Sequence, residues 1–114
     1  MPFIDTSDEV FVVASPCSIA DHVKDSRRLS AWFPGVVLSV IEDRGCAGMR
    51  WAATGAVSGT AEIWIEPVMD GAVIHTFLRG EVATSKPWPL TVKKAAFSIK
   101  DALEAGRVAG TRLG

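Results

Sequence analysis

The stretch TAEIWIEPVMDGAVIHTFLR, residues 60–79, decides the fold. Its two halves, 60–66 and 72–79, are rich in β-branched and aromatic residues, which favour β-strands. Between them lies Asp70-Gly71, a dipeptide typical of a two-residue hairpin turn. Strands joined by so short a turn pair antiparallel, so the stretch predicts a β-hairpin.

Centring the turn on Asp70-Gly71 predicts the register and therefore the two faces of the hairpin. One face is mixed, with Trp64 opposite Phe77, Glu62 opposite Arg79 and Glu66 opposite His75. The other face is apolar and holds Ile63, Ile65, Ile74 and Leu78, with Thr76 among them. A further turn at Val57-Ser58 would place Trp51 beside Trp64 on the mixed face.

Two assignments of these faces are open. In the first, the apolar face packs on the core and the mixed face meets solvent. In the second, the mixed face turns inward, and its aromatic side chains form the floor of a ligand site with a few polar groups to orient the ligand.

Outward from the hairpin, the chain shows three more strand-like runs and three helical ones. The strands are expected at 9–14, 36–42 and 49–54, and the helices at 15–24, 25–33 and 90–105. Ser15-Pro16 and Asp25-Ser26 are good helix starts, and Gly106 is placed to end the last helix. The order β-α-α-β-β-β-β-α predicts an α+β fold, a helix grip: a curved antiparallel sheet of about five strands wrapped on a long C-terminal helix.

Length and composition limit the class of protein. The 114 residues are enough for one domain, 1–114, and the 48% hydrophobic content is ordinary for a globular chain. A net charge of −1 gives no field that would attract nucleic acid, and no stretch reaches the length of a transmembrane segment. We therefore expect neither nucleic-acid binding nor membrane insertion.

The cysteines and glycines predict no metal or cofactor. Cys17 and Cys46 lack further ligands at metal-binding spacing, and the glycines are scattered turn residues without a phosphate-binding loop. No signal peptide is visible at the start of the sequence. We expect a cytoplasmic protein whose two thiols are reduced.

The sequence contains one candidate for acid–base chemistry. His75 lies in the middle of a predicted strand with Glu66 opposite, and a carboxylate there could orient the imidazole; the alternative is a structural cross-strand pair. Arg79 could bind an anionic head group or pair with Glu62. The candidate ligand-binding residues are Trp32, Phe33, Trp51, Glu62, Trp64, His75, Phe77, Arg79 and Phe97.

Several of these motifs resemble a known superfamily. Three of them are the opening strand before Ser15-Pro16, the segment Trp32-Phe33-Pro34-Gly35, and Gly59–Trp64 followed by Asp70-Gly71. The fourth is the segment 100–107, which looks like the end of a terminal helix. Together they resemble polyketide cyclase/dehydrase-like members of the START-like (SRPBCC, Bet v 1-type) superfamily, in a compact actinobacterial-type form. The resemblance implies a cavity between sheet and C-terminal helix, with Trp32 and Phe33 at its mouth, where they either gate entry or close the core. Typical members have six or seven strands.

Three functions follow as expectations. The first is binding or carriage of a small hydrophobic molecule, lipid or polyketide-like, without catalysis. The second is a cyclase, dehydratase or isomerase that uses His75 as acid and base in the same pocket. The third is a homodimer or protein-interaction module that uses the Trp64/Phe77 face or an open sheet edge.

Overall fold

The computed structural model describes residues 2–83 and 85–113, and the side chains of all of these except 106–113. Its elements are β1 (Phe3–Val12), α1 (Pro16–Val23), α2 (Ser26–Trp32), β2 (Val36–Asp43), a 3₁₀ turn (Gly45–Ala47), β3 (Gly48–Gly55), β4 (Val57–Val68), β5 (Gly71–Val82) and α3 (Trp88–Leu113). The predicted order and the α+β class are confirmed.

The starts of the two short helices follow from their capping residues. The Ser15 side chain accepts a hydrogen bond from the Ser18 N–H at 3.1 Å, and Pro16 occupies the first turn of α1. The Asp25 carboxylate accepts from the Arg27 N–H at 2.9 Å and so caps α2. These bonds satisfy backbone donors that have no partner inside a helix.

The five strands form one antiparallel sheet in the order β1-β5-β4-β3-β2. The β4–β5 turn lies at Met69-Asp70, between the paired residues Val68 and Gly71. The predicted register was therefore wrong by two residues: Trp64 pairs with His75. Because side chains alternate with a period of two, this shift leaves every residue of the hairpin on its predicted face.

The predicted register of β3 against β4 was wrong by three residues, an odd number. Trp51 pairs with Ala61, three residues from the Trp64 partner that the predicted turn required. An odd shift moves a side chain to the opposite face of the sheet. Trp51 accordingly lies on the apolar face and is 2% exposed.

The helix α3 lies on the apolar face, which we call the inner face; the opposite one is the outer face. Ile63, Ile65, Ile74 and Leu78 are fully buried, in one hydrophobic cluster with Val92, Ala96 and Ile99 of α3. The first assignment of the faces is confirmed. The helix has 26 residues and passes Gly106, where we had expected it to end. Its length of about 39 Å matches that of the twelve-residue strand β5, about 40 Å.

A disulfide joins Cys17 in α1 to Cys46 in the 3₁₀ turn, with the two Cα atoms 4.5 Å apart. The prediction of reduced thiols was wrong, because the cysteines are 29 positions apart in the sequence and only the fold brings them together. Close by, the Lys24 ammonium donates to the Asp43 carboxylate at 2.8 Å and lowers the pKa of Asp43. Both cysteine residues are exposed.

Candidate functional site

The predicted site residues are divided between the two faces of the sheet. Glu62, Trp64, Glu66, His75, Phe77 and Arg79 share the outer face. Trp32, Phe33 and Trp51 are at most 2% exposed and belong to the core on the inner side. Phe97 lies on α3 and is 43% exposed. The structure therefore separates most of the predicted site residues into two groups, one on the outer face of the sheet and one in the core.

On the outer face, His75 is held between two aromatic rings and a carboxylate. Its ring stacks on Trp64 with centroids 4.4 Å apart, and Phe77 lies parallel at 6.4 Å. His75 Nε2 lies 2.9 Å from Glu66 Oε1, and Nδ1 lies 3.9 Å from Glu9 Oε1. The His75 side chain is only 12% exposed. The geometry fixes the ring and lets Glu66 orient one ring nitrogen.

The expected pair of Glu62 and Arg79 does not form. Glu62 Oε2 accepts from Arg44 Nη1 at 2.7 Å, whereas Arg79 lies 3.9 Å from the Asp5 carboxylate. Hydrogen bonds to Glu62 and then to Glu42 raise the pKa of the Arg44 guanidinium. Glu62 is thus paired with Arg44, between β2 and the 3₁₀ turn, and not with Arg79. The Arg79 side chain is 66% exposed, so Arg79 is more accessible to a ligand than Arg44.

On the inner side, an apolar groove runs between α2 and β2. Its volume is about 330 Å³, and it is lined by Ser26, Leu29, Ser30, Val36, Leu38, Val40 and Trp51. It exists because β2 is the last strand of the sheet, so nothing in the described chain continues the inner surface beyond it. Val40 is 61% exposed there, while Trp51 forms the floor with the Phe33 ring edge-on at 6.3 Å.

A polar group also lies on the inner face, under α3, and sequence reasoning missed it. Asp8 is directly opposite Thr76 in the β1–β5 pair, and Lys93 Nζ from α3 lies 2.6 Å from Asp8 Oδ1. Asp8 Oδ2 and Thr76 Oγ1 are buried, and no hydrogen-bond partner reaches either atom among the described residues. The predicted strand began at Glu9, whereas β1 begins at Phe3. A strand continued backward in alternation from Val12 would have placed Asp8 on the core side.

Comparison with known proteins gives structural likeness but no sequence match. No protein-family model and no curated protein matches the chain. The Aha1 dimer from Colwellia psychrerythraea has a TM-score of 0.68 at 16% identity, with 90% of this chain and 98% of that chain covered. DR_A0006 from Deinococcus radiodurans has a TM-score of 0.70 at 10% identity, with the same coverage.

A third solved structure is the di-domain ARO/CYC StfQ from the steffimycin biosynthetic pathway, with a TM-score of 0.60 at 10% identity. The match covers 94% of this chain and 52% of StfQ. The sheet and the helix across it define the class, a helix-grip α+β protein. Within that class, the chain has the START-like, Bet v 1-type fold that its motifs predicted.

Proposed function

We propose that the protein binds a small hydrophobic molecule in the groove between α2 and β2. The observation that carries the proposal is an open apolar concavity floored by Trp51 at the free edge of the sheet. A volume of about 330 Å³ is at the lower end for small-molecule sites, which are mostly apolar with a few polar groups. Ser26 and Ser30 on α2 are the polar groups of this groove.

The groove replaces the site expected beneath α3. There, Trp32, Trp88, Phe33 and Ile99 are at most 1% exposed and belong to the hydrophobic core. Of the residues expected to bind ligand, Trp51 lines the groove, and Phe33 contacts Trp51 from behind. Solved structures of this fold include an ARO/CYC protein, which supports a cyclic or polyketide-like ligand.

The test is a fluorescence titration with N-phenyl-1-naphthylamine, an uncharged apolar probe. Val40→Asp places a carboxylate in the groove and should weaken saturable binding at least tenfold, because a charge next to the bound probe would be desolvated. Val37→Asp is the matched control: Val37 lies on the same strand, is 62% exposed, and points away from the groove. Absence of saturable binding, or equal losses in both variants, would contradict the proposal.

The second candidate is a homodimer through the outer face. Trp64, Phe77 and Phe11 are 38%, 37% and 36% exposed there, and aromatic residues are enriched at protein interfaces. The Aha1 structure of the same fold is described as a dimer, which supports the idea. Light scattering over a hundredfold range of concentration tests it. A mass that stays at 12.2 kDa rejects the dimer, and Trp64→Arg should abolish any association without loss of fold.

The enzyme alternative requires a different location. His75 and Glu66 lie on the outer face, whereas the groove opens on the inner side. An acid–base reaction at His75 would therefore take place at the aromatic face, and we do not assign it to the groove.

The cytoplasmic location stays a prediction. Among the described residues, no helix has the length and hydrophobicity to cross a bilayer.

A further inference from the structure

We propose that the disulfide between Cys17 and Cys46 is a thiol-sensitive clamp that sets the affinity of the groove between α2 and β2. With the bond intact, the end of β2 is held in place. Once a small thiol reduces the bond, that end loosens and the groove binds its ligand more weakly. The inference rests on the proposed function, because the groove is the site that the clamp regulates.

The first step of the argument is how the two walls of the groove are joined. One wall belongs to α2 and the other to β2, and the chain itself joins them at one end through residues 33–35. At the other end, where α2 begins and β2 ends, links run through α1. The disulfide joins Cys17 to Cys46, and Lys24 Nζ donates to Asp43 Oδ1 at 2.8 Å.

The second step is that the end of β2 has little other support. In the described chain β2 is the last strand of the sheet and pairs with β3 alone. Its register shifts between Val40 and Glu42, so the ladder is interrupted where Val40 lines the groove. The 3₁₀ turn that follows has no buried residue, whereas α1 is anchored by Ile19 and Val23. The disulfide therefore ties a weakly packed strand end to a firmly packed helix.

The third step is access and chemistry. Both cysteine residues are exposed, so a small thiol can reach the sulfur atoms. A thiolate attacks one sulfur and forms a mixed disulfide while the other cysteine leaves as a thiolate; a second thiolate then attacks the mixed disulfide. Two electrons and two protons pass from two small thiols to the protein, which gains two cysteine thiols, and the small thiols become one disulfide. A small disulfide reverses the reaction.

The fourth step is that the fold does not depend on the bond for its core. The hydrophobic cluster unites the sheet with all three helices, and it contains neither cysteine. Breaking the bond removes no member of that cluster, so the change is confined to the strand end and the turn. Disulfides in the cytosol are usually catalytic or redox-sensing, and the predicted cytoplasmic location suits a sensing role.

The experiment titrates N-phenyl-1-naphthylamine into oxidised protein, protein reduced with dithiothreitol, and protein reoxidised with glutathione disulfide. Reduction should raise the Kd about fivefold, because binding must then order the β2 wall, and reoxidation should restore it. The double variant Cys17→Ser, Cys46→Ser should bind like the reduced wild type, with or without reductant. Ile74→Val is the control: it weakens the core in β5, outside the groove lining, and should keep the wild-type affinity and thiol response.

Backbone order parameters from nuclear magnetic resonance relaxation test the clamp without any probe. On reduction, the values for residues 40–47 should fall below about 0.6, while those for residues 74–78 in β5 should stay near about 0.85. The second segment lies in an inner strand of the sheet, paired on both edges, so it reports whether the change is local.

Three results would overturn the proposal. They are order parameters in 40–47 that do not change on reduction, an unchanged Kd in protein whose order parameters fall, and an equal loss of affinity in Ile74→Val and the double variant. An oxidised protein that binds no probe contradicts the proposed function instead, and lower order parameters in 40–47 would then still support the clamp.

Discussion

Glu104 connects the last part of α3 to the end of β1. Its Oε2 accepts hydrogen bonds from the Val13 N–H at 2.9 Å and from Lys100 Nζ at 2.7 Å, while Lys100 also donates to the Phe11 carbonyl at 2.8 Å. Burial raises the pKa of Glu104, but the hydrogen bonds from Lys100 and Val13 outweigh it. The pKa therefore lies below the usual value of 4.5.

Glu104→Gln removes the charge and should reduce the free energy of unfolding by about 1 kcal/mol at neutral pH. Because the folded pKa is lowered, this stabilisation is complete above pH 4.5 and is lost as the pH falls through the folded pKa. Urea unfolding at pH 7 and at pH 3 checks both statements. The difference should shrink at pH 3, and Asp101→Asn, exposed on the same helix, should show no comparable loss.

Gly48 begins β3 with a φ of +115°, and a Cβ there would overlap the carbonyl oxygen of Ile63 on β4. Gly48→Ala should therefore destabilise the protein by about 2 kcal/mol or more, because backbone atoms cannot move aside as a side chain can. Gly45 also has a positive φ, but its Cβ would meet nothing within 4 Å. Gly45→Ala should cost about 1 kcal/mol. Thermal unfolding of the two variants should differ accordingly; equal losses would contradict this account.

Among the elements, the hairpin shows what the sequence can predict about a sheet. Its alternation placed Trp64 and His75 correctly on one face although the predicted register was wrong by two residues. Trp51 was assigned to the wrong face because the predicted β3–β4 register was wrong by three residues. Gly55, with a φ of +89° in that turn, permits geometries that the sequence does not distinguish. Periodicity assigns side chains to the correct faces only when any error in the register is an even number of residues.

Neither the groove nor the polar group of Asp8, Thr76 and Lys93 could be predicted from local sequence patterns. Val40 looks like any inward-facing strand residue, and its exposure follows only from the position of β2 at the edge of the sheet. Asp8 and Lys93 lie on elements far apart in the chain. The starts of α1 and α2 were easier to predict, because the Ser15 and Asp25 side chains accept capping hydrogen bonds from residues only two or three positions away.

The disulfide fixes α1 against the turn between β2 and β3. A loop closed across a separation of 29 residues should stabilise the fold by about 3 kcal/mol, through the lower chain entropy of the unfolded state. The double variant Cys17→Ser, Cys46→Ser should lose about that much in urea unfolding. Wild type treated with dithiothreitol should match it, and the double variant should not respond to the reagent. A reductant effect that persists in the double variant would contradict this assignment.

For the whole molecule, one hydrophobic cluster unites the sheet with all three helices. Trp32, Trp51 and Trp88 belong to α2, β3 and α3, and each is buried in that cluster. Unfolding should therefore be cooperative, with tryptophan fluorescence and far-ultraviolet circular dichroism giving the same midpoint in urea. Two separated midpoints would show that α3 detaches before the sheet unfolds, and would reject a single cooperative unit.

The covalent link between Cys17 and Cys46 closes a ring that contains α2 and β2, and with them every groove residue except Trp51. A protease that cuts once inside the ring, for instance after the exposed Arg27, leaves two peptides still bonded to each other. On a non-reducing gel the nicked protein would migrate as one chain, and only a thiol would release the smaller fragment.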